Sequence, residues 1–444
     1  MIPNLLSYWH DIRSSLWALP LLMVVAAGAV AIFAVQIPLR QGEDPVWFLY
    51  SGDAEDAPQF LSNLVTAMIT MATLVVSITM VVLTLAAQQL GPRLIRSFMA
   101  DRRTQITLGL FVATVVYLLL VLRSTYGGTD KVPNLAVTGG TALVLVCLIA
   151  LLVFVHHLAR SIIADTIIDR VGSALDRDVE RLLPESEVDA DTAFIRPSES
   201  GAVLTLHRSG YVQSLNHGGM VGLAKEAGAV IELSVKPGRH VIEGSNFGWI
   251  APPHAATAEN RKKIENCLVV GGERASIQDL ETSIRQLVEV ALRALSPSIS
   301  DPFTAMAVVD RLTESLVKIM RRGSAQWVWL DEDKAVRLLM PRPTFEEIVK
   351  ESFRQIRQHS QNQPAVLIRL IECLDQLLAQ ANAAQRPVLQ KQIEIVVETG
   401  RRNIAEKEDL RVLEERSRLA LKQAEGAALV KKGAQGRTSQ RPPR

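Results

Sequence analysis

Ser62, Thr66, Thr70, Thr73, Ser77, Thr84 and Gln88 recur through residues 59–92, QFLSNLVTAMITMATLVVSITMVVLTLAAQQLGP, a stretch without one charged side chain. On a helix advancing 100° per residue these seven fall within an arc of about 80°, and only Thr79 among the hydroxyls strays. Hydroxyls aligned in this way can take the place of water around a passing solute or ion. They can equally bond back to the carbonyl one turn earlier and let helices pack closely, which is the more ordinary use. Met80 and Val81 lie on the same face and interrupt it once, as a hydrophobic constriction in a wet path would. No acid or base stands inside the stretch, which argues against proton-coupled transport more than against a passive channel. A potassium-type T-V-G-Y-G filter is absent.

The element that must position this face is a membrane span. Of 444 residues, 48% are hydrophobic and 21% charged, and the charge-free runs crowd the first 160. A spanning helix needs roughly 20 apolar residues at about 1.5 Å rise each. Four segments qualify, between Arg13 and Arg40, Asp56 and Arg93, Arg103 and Arg123, and Lys131 and Arg160. Only Arg13 precedes the first, whose apolar run exceeds a leader's, so an uncleaved anchor is expected. Ala27, Ala31 and Ala34 in the first span and Gly139 and Gly140 in the fourth suit close helix approach. His156 and His157, near the end of the fourth, read as interfacial imidazoles rather than ligands.

Lys and Arg in short loops set the orientation. Arg93, Arg96, Arg102 and Arg103 crowd one loop, and Arg160 and Arg170 follow the fourth span. Arg40 stands alone against Glu43, Asp44, Asp53, Glu55 and Asp56, and the turn near Tyr126 has only Arg123 and Lys131. The expected topology is multi-pass in a bacterial inner membrane with both termini cytoplasmic.

The rest reads as a cytosolic α+β region. Residues 161–200 give an amphipathic stalk continuing the fourth helix to Leu183, then an acidic, Ser- and Pro-rich linker. Residues 201–256 give a small β-sandwich-like domain, in which AVIELSVKPGRHVIEG predicts a β-hairpin about Pro237-Gly238. That hairpin resembles half of the sandwich of biotinyl and lipoyl carriers, but Lys236 lacks a carrier-type lysine motif. Residues 257–424 give an all-helical part: a helix from about Ser276 capped with Asp279, a break at RALSPSISDPFTA, and helices begun by Thr344 with Glu347 and by Pro364. Residues 425–444, with Lys431, Lys432, Arg437, Arg441 and Arg444, read as a disordered basic tail of the kind anionic lipid attracts.

The order of the spans, GYVQSL, VKPGRHVIEG and above all IRQLVEVALRALSPSISDPFTA resemble a bacterial family of predicted membrane proteins catalogued as a domain of unknown function, over about residues 5–425. The resemblance implies the four-span architecture and no activity. Within its most specific run, Arg285, Gln286, Arg293, Ser296, Asp301 and Thr304 are candidates for a polar cluster, with capping of the helix break as the plainer explanation.

Phosphate-loop, G-x-S-x-G and H-E-x-x-H signatures are missing, so no enzyme is expected. Cys147, Cys267 and Cys373 are unpaired by spacing, and His207, His217, His240, His254 and His359 are dispersed, so neither metal nor cofactor is expected. Net charge +2 predicts no nucleic-acid partner. Two classes stay open: a homo-oligomer passing a small solute or ion along the second span under a cytosolic vestibule, or a membrane-anchored scaffold or sensor without conduction.

Overall fold

A computed structural model describes residues 17–36, 50, 55–90, 101–126, 133–161, 163–183, 197–274, 278–322, 328–341 and 343–438, without the side chains of 86–90, 161, 197 and 424–438. The chain divides into two compact units, Met1–Thr166 and Ile167–Arg444.

The first unit holds α1 (Ala18–Gln36), α2 (Asp56–Leu90), α3 (Arg102–Thr125) and α4 (Asn134–Ser161). All four are long and apolar enough to cross a membrane. With lipid as solvent, helices associate by close packing, so small residues mark the contacts. A Cβ on Gly109 of α3 would lie 2.6 Å from Met23 Sδ and 3.0 Å from the Pro20 Cα of α1. On the α4 side, Cβ atoms on Gly139 and Gly140 would meet Tyr117 Oη at 2.8 Å and Leu118 Cδ2 at 2.7 Å. Tyr117 Oη donates to Ala136 O at 3.0 Å, so even the phenol is satisfied inside the bundle. α3 is the hub, burying Phe111, Tyr117, Leu118 and Val121, and α2 leans on the bundle with Leu61, Val65, Met68 and Val75.

His157 is more than a solvated imidazole. Its Nε2 lies 2.9 Å from Asp101 Oδ2, and Asp101 caps α3 by accepting from Thr104 N. The pair fastens the start of α3 to the end of α4.

The stalk is not a continuation of the fourth span. α4 ends at Ser161, and a separate helix, α5 (Ala164–Leu182), packs Ile167, Ile168, Val171, Leu175 and Val179 into the second unit.

The β region departs most from expectation. Its strands are β1 (Ala202–Thr205), β2 (Gly210–Leu215), β3 (Val230–Leu233), β4 (His240–Val241), β5 (Asn246–Ala251), β6 (Leu268–Gly271), β7 (Val328–Leu330) and β8 (Val336–Leu339). They form a five-stranded sheet, β1-β5-β3-β8-β7, and a three-stranded sheet, β4-β2-β6. The expected hairpin does not exist: β3 pairs with β5 and β8, while β4 pairs with β2. At the turn, Gly238 takes φ 84°, and its N–H donates to Val212 O at 2.7 Å. The chain therefore passes from one sheet to the other there. Alternation reports which side chains face the core, not which strand lies alongside.

β6, β7 and β8 come from the stretch expected to be wholly helical, and β8 runs parallel to β3, with Ile231 opposite Leu338. Two helices, α6 (His217–Glu226) and α7 (Ala258–Asn266), complete this lobe. Its core gathers Val212, Met220, Ile231, Phe247, Ile250 and Leu338.

The remaining helices are α8 (Leu280–Ala294), α9 (Pro302–Arg321), α10 (Phe345–His359), α11 (Pro364–Gln380), α12 (Arg386–Asn403) and α13 (Lys407–Thr438). α8 is capped by Asp279 itself, and the proposed start at Ser276 lies outside the described residues. Thr344 and Glu347 form the expected capping box. α13 continues past residue 424 to Thr438, where a disordered tail was expected. The run AALVKK consists of fair to good helix formers, which outweigh the glycines around it.

Candidate functional site

The hydroxyl face of α2 is turned away from its own bundle. Ser62, Thr66, Thr70, Thr73, Ser77 and Thr84 are all exposed, whereas α2 buries the opposite side against α3 and α4. Gly139 and Thr141 do not cover them: Gly139 packs on Tyr117, and Thr141 bonds its own helix at Val137 O. The four threonine donors of the ridge are satisfied one turn back, whereas among the described residues Ser62 and Ser77 make no such bond. Thr66 donates to Ser62 O, Thr70 to Thr66 O, Thr73 to Ile69 O and Thr84 to Met80 O, all at 2.9 Å. A hydroxyl has one donor and two lone pairs, so the ridge presents acceptors outward. Met80 and Val81 are 56% and 67% exposed on that face, as the interruption requires. Gln88's side chain lies outside the described residues.

Two further carboxamides of the ridge were missed. Gln59 falls inside the same arc, Asn63 borders it, and both are exposed. The wheel that placed the hydroxyls was the signal that would have included them.

Hydroxyls elsewhere in the unit behave differently. On α3, Thr104 and Thr114 are buried, and on α4 Thr138 and Thr141 are half-buried. Thr114 Oγ1 sits 3.3 Å from Cys147 Sγ, and Thr138 Oγ1 accepts from Tyr50 N. Large apolar side chains such as Leu22, Val25, Phe33, Leu145, Ile149 and Leu152 face outward along the middle of α1 and α4.

The second candidate, the polar cluster about the helix break, does not form one site. Arg285 reaches across to Glu351 of α10. Asp301 accepts from the Thr304 N–H at 3.1 Å and from the Thr304 hydroxyl at 2.6 Å. Those bonds hold its carboxyl below the usual range, as for any helix N-cap. Ser296 Oγ lies 3.2 Å from Ser298 Oγ inside the turn. Arg285 and Ser296 are three helical turns apart, so capping and one interhelical ion pair account for Arg285, Asp301 and Thr304 without a shared site.

A polar centre that no motif announced lies between α5 and α9. Asp176 Oδ2 accepts from Arg311 Nη2 and Lys318 Nζ, both at 2.7 Å, and Oδ1 accepts from Ser315 Oγ at 2.7 Å. Gly172, one turn earlier, leaves room for the Arg311 guanidinium. Burial alone would raise the Asp176 pKa, but the donors outweigh it and hold it below the usual range. The arrangement is fully satisfied and offers no open position, so it fastens helices. Among the described residues no group of His, Cys, Asp and Glu is placed to hold a metal.

Residues 13–376 match the model of a family described as "Predicted membrane protein (DUF2254)". The chain is similar to the uncharacterized protein Rv1290c of Mycobacterium tuberculosis and the uncharacterized protein Mb1321c of Mycobacterium bovis. Each is 30% identical over 410 residues, covering 90% of this chain and 78% of the relative. No solved structure matches significantly.

Proposed function

The chain belongs to the DUF2254 family of predicted membrane proteins, and from that premise we propose that it is a homo-oligomer of the bacterial inner membrane whose copies meet along the α2 ridge and enclose a narrow polar path. It conducts a small solute or ion passively and catalyses no reaction, with both termini in the cytosol and the second unit as gate or vestibule. One observation carries this reading: among the described Ser and Thr of the spans, only those of α2 face outward as a class. The threonine donors among them are spent on their own helix, so the ridge is richer in outward acceptors than donors and suits water, or cations that seek acceptors, better than anions. Met80 and Val81 close the path. Replacing either by Ser should raise ion leak severalfold in reconstituted vesicles, and unchanged leak with assembly intact overturns the conduit.

The back-bonding itself favours a second reading, a membrane-anchored scaffold. A Thr that has already donated its proton is tolerated against lipid. A Thr70→Cys variant separates the two, because Cys147, Cys267 and Cys373 are buried. Oxidation in the membrane should link two copies through residue 70 if ridges meet, and should yield only monomer if the face lies on lipid.

A further inference from the structure

We propose that Arg354, Arg357 and Arg402, with the amides of Gln355 and Gln358, form a binding site for a phosphate group on the second unit. α10 and α12 pack side by side there, and Arg357 Nη1 reaches across to donate to Thr399 Oγ1 at 2.6 Å. Beside it opens a cavity of about 350 Å³ lined by Lys350, Glu351, Arg354, Gln355, Gln358 and His359, within the size range of ligand clefts, roughly 300–1,000 Å³.

The charges of this shelf do not cancel. Lys350 is answered by Glu346 at 2.8 Å, and Glu351 is taken by Arg285. Arg402 has a loose partner in Glu398 at 3.5 Å. Among the described residues neither Arg354 nor Arg357 has a carboxylate within ion-pair distance. Burial first, and then the like charges of Arg402 and Arg354, push the Arg357 pKa down. A bound anion would relieve both costs. Guanidinium groups backed by carboxamide donors suit a phosphate, with its three oxygens and charge near −2, better than a carboxylate with two.

The phosphate could belong to a soluble ester or to a lipid headgroup, and the same experiment distinguishes them. The full chain, purified in a non-ionic detergent, is titrated calorimetrically with inorganic phosphate and, separately, with short-chain phosphatidic acid. Each titration is repeated on Arg354→Gln, on Arg357→Gln and on Arg411→Gln, a charge-matched control on the surface of α13. Saturable binding that weakens at least tenfold in Arg354→Gln and not in Arg411→Gln supports the site. Binding of inorganic phosphate identifies a soluble source, and binding of the lipid alone a headgroup. Arg354 is exposed, so its variant should fold, and the half-buried Arg357 serves as the second. No saturable binding of either probe, or equal weakening in the Arg411→Gln control, overturns the proposal.

Discussion

The α2 ridge and the Asp176 centre satisfy their polar groups in opposite ways. On the ridge four threonines bond within one turn of their own helix, at Ser62 O, Thr66 O, Ile69 O and Met80 O. In the second unit Asp176 is held by residues 135 to 142 positions away, Arg311, Ser315 and Lys318. A local bond orients nothing beyond its helix, whereas a buried carboxylate with three distant donors fixes how two helices meet. Polarity in the second unit therefore specifies the fold. On α2 it is left over, and it needs either a partner or a tolerant solvent.

The largest expected effect tests the specifying half of that contrast. Asp176→Ala leaves the Arg311 guanidinium with only Ser315 and, at 3.5 Å, the exposed Glu314, and should cost up to about 3 to 5 kcal/mol, the range for breaking one side of a buried ion pair. Amide exchange across Pro302–Arg321 should accelerate, and unfolding of the full chain in detergent should move to lower temperature. An Asp176→Ala chain as stable as the wild type would show that burial of Ile167, Ile168 and Val171 alone docks α5.

Next comes the membrane unit's own means of specification, which is shape. Gly109→Ala places a methyl 3.0 Å from the Pro20 Cα, a backbone atom that cannot turn aside. Overpacking of this kind costs about 1 to 3 kcal/mol and should loosen α1 from α3, read as faster proteolysis between them in detergent. If Gly109→Ala is silent, α1 is not seated by close approach.

The contrast also predicts where pH acts. His217 of α6 stacks on Trp329 of β7 at 4.7 Å, its Nε2 is buried without a partner, and burial pushes its pKa down. The folded state thus binds this proton more weakly than the unfolded chain, whose imidazole titrates near 6.5. Stability is complete above that pH and falls as pH drops from there toward the lowered folded value. Protection factors in Val328–Leu339, that is exchange corrected for its intrinsic slowing at lower pH, should fall as pH drops from 7.5 to 5.5. His217→Phe, which keeps a ring against Trp329, should flatten that dependence; an unchanged slope would assign it to other groups.

Much of this molecule could be read from the chain. The spans were legible because lipid demands long charge-free runs, and the ridge as one face because 3.6-residue periodicity places Ser62 and Thr84 on one side whatever the neighbours do; which way that face points was not. Strand partnership was not legible. Val230–Leu233 and His240–Val241 alternate as a hairpin would, yet they enter different sheets. Val328–Leu330 and Val336–Leu339 are too short to show a period before they pair with each other and β3 recruits β8. The Asp176 centre left no local trace at all, since a contact across 135 residues has no spacing signature.

The smallest effect bears most directly on function. Thr70→Val removes a hydroxyl that is exposed and bonded only to Thr66 O, so the fold of one chain should change by less than about 0.5 kcal/mol. If a second copy covers the ridge, that oxygen is also an acceptor across the contact. Interhelical hydrogen bonds in membranes average about 0.6 kcal/mol, which is roughly a threefold change in association at 1.4 kcal/mol per decade. Energy transfer between donor- and acceptor-labelled chains, followed as the protein is diluted in lipid, resolves a threefold shift. A shift toward dissociation in Thr70→Val, with Thr79→Val on the half-buried side as the reference, places a partner over the hydroxyls. Coincident dilution curves, or tighter association with Val, leave the face to lipid, and the second unit then carries whatever this protein does.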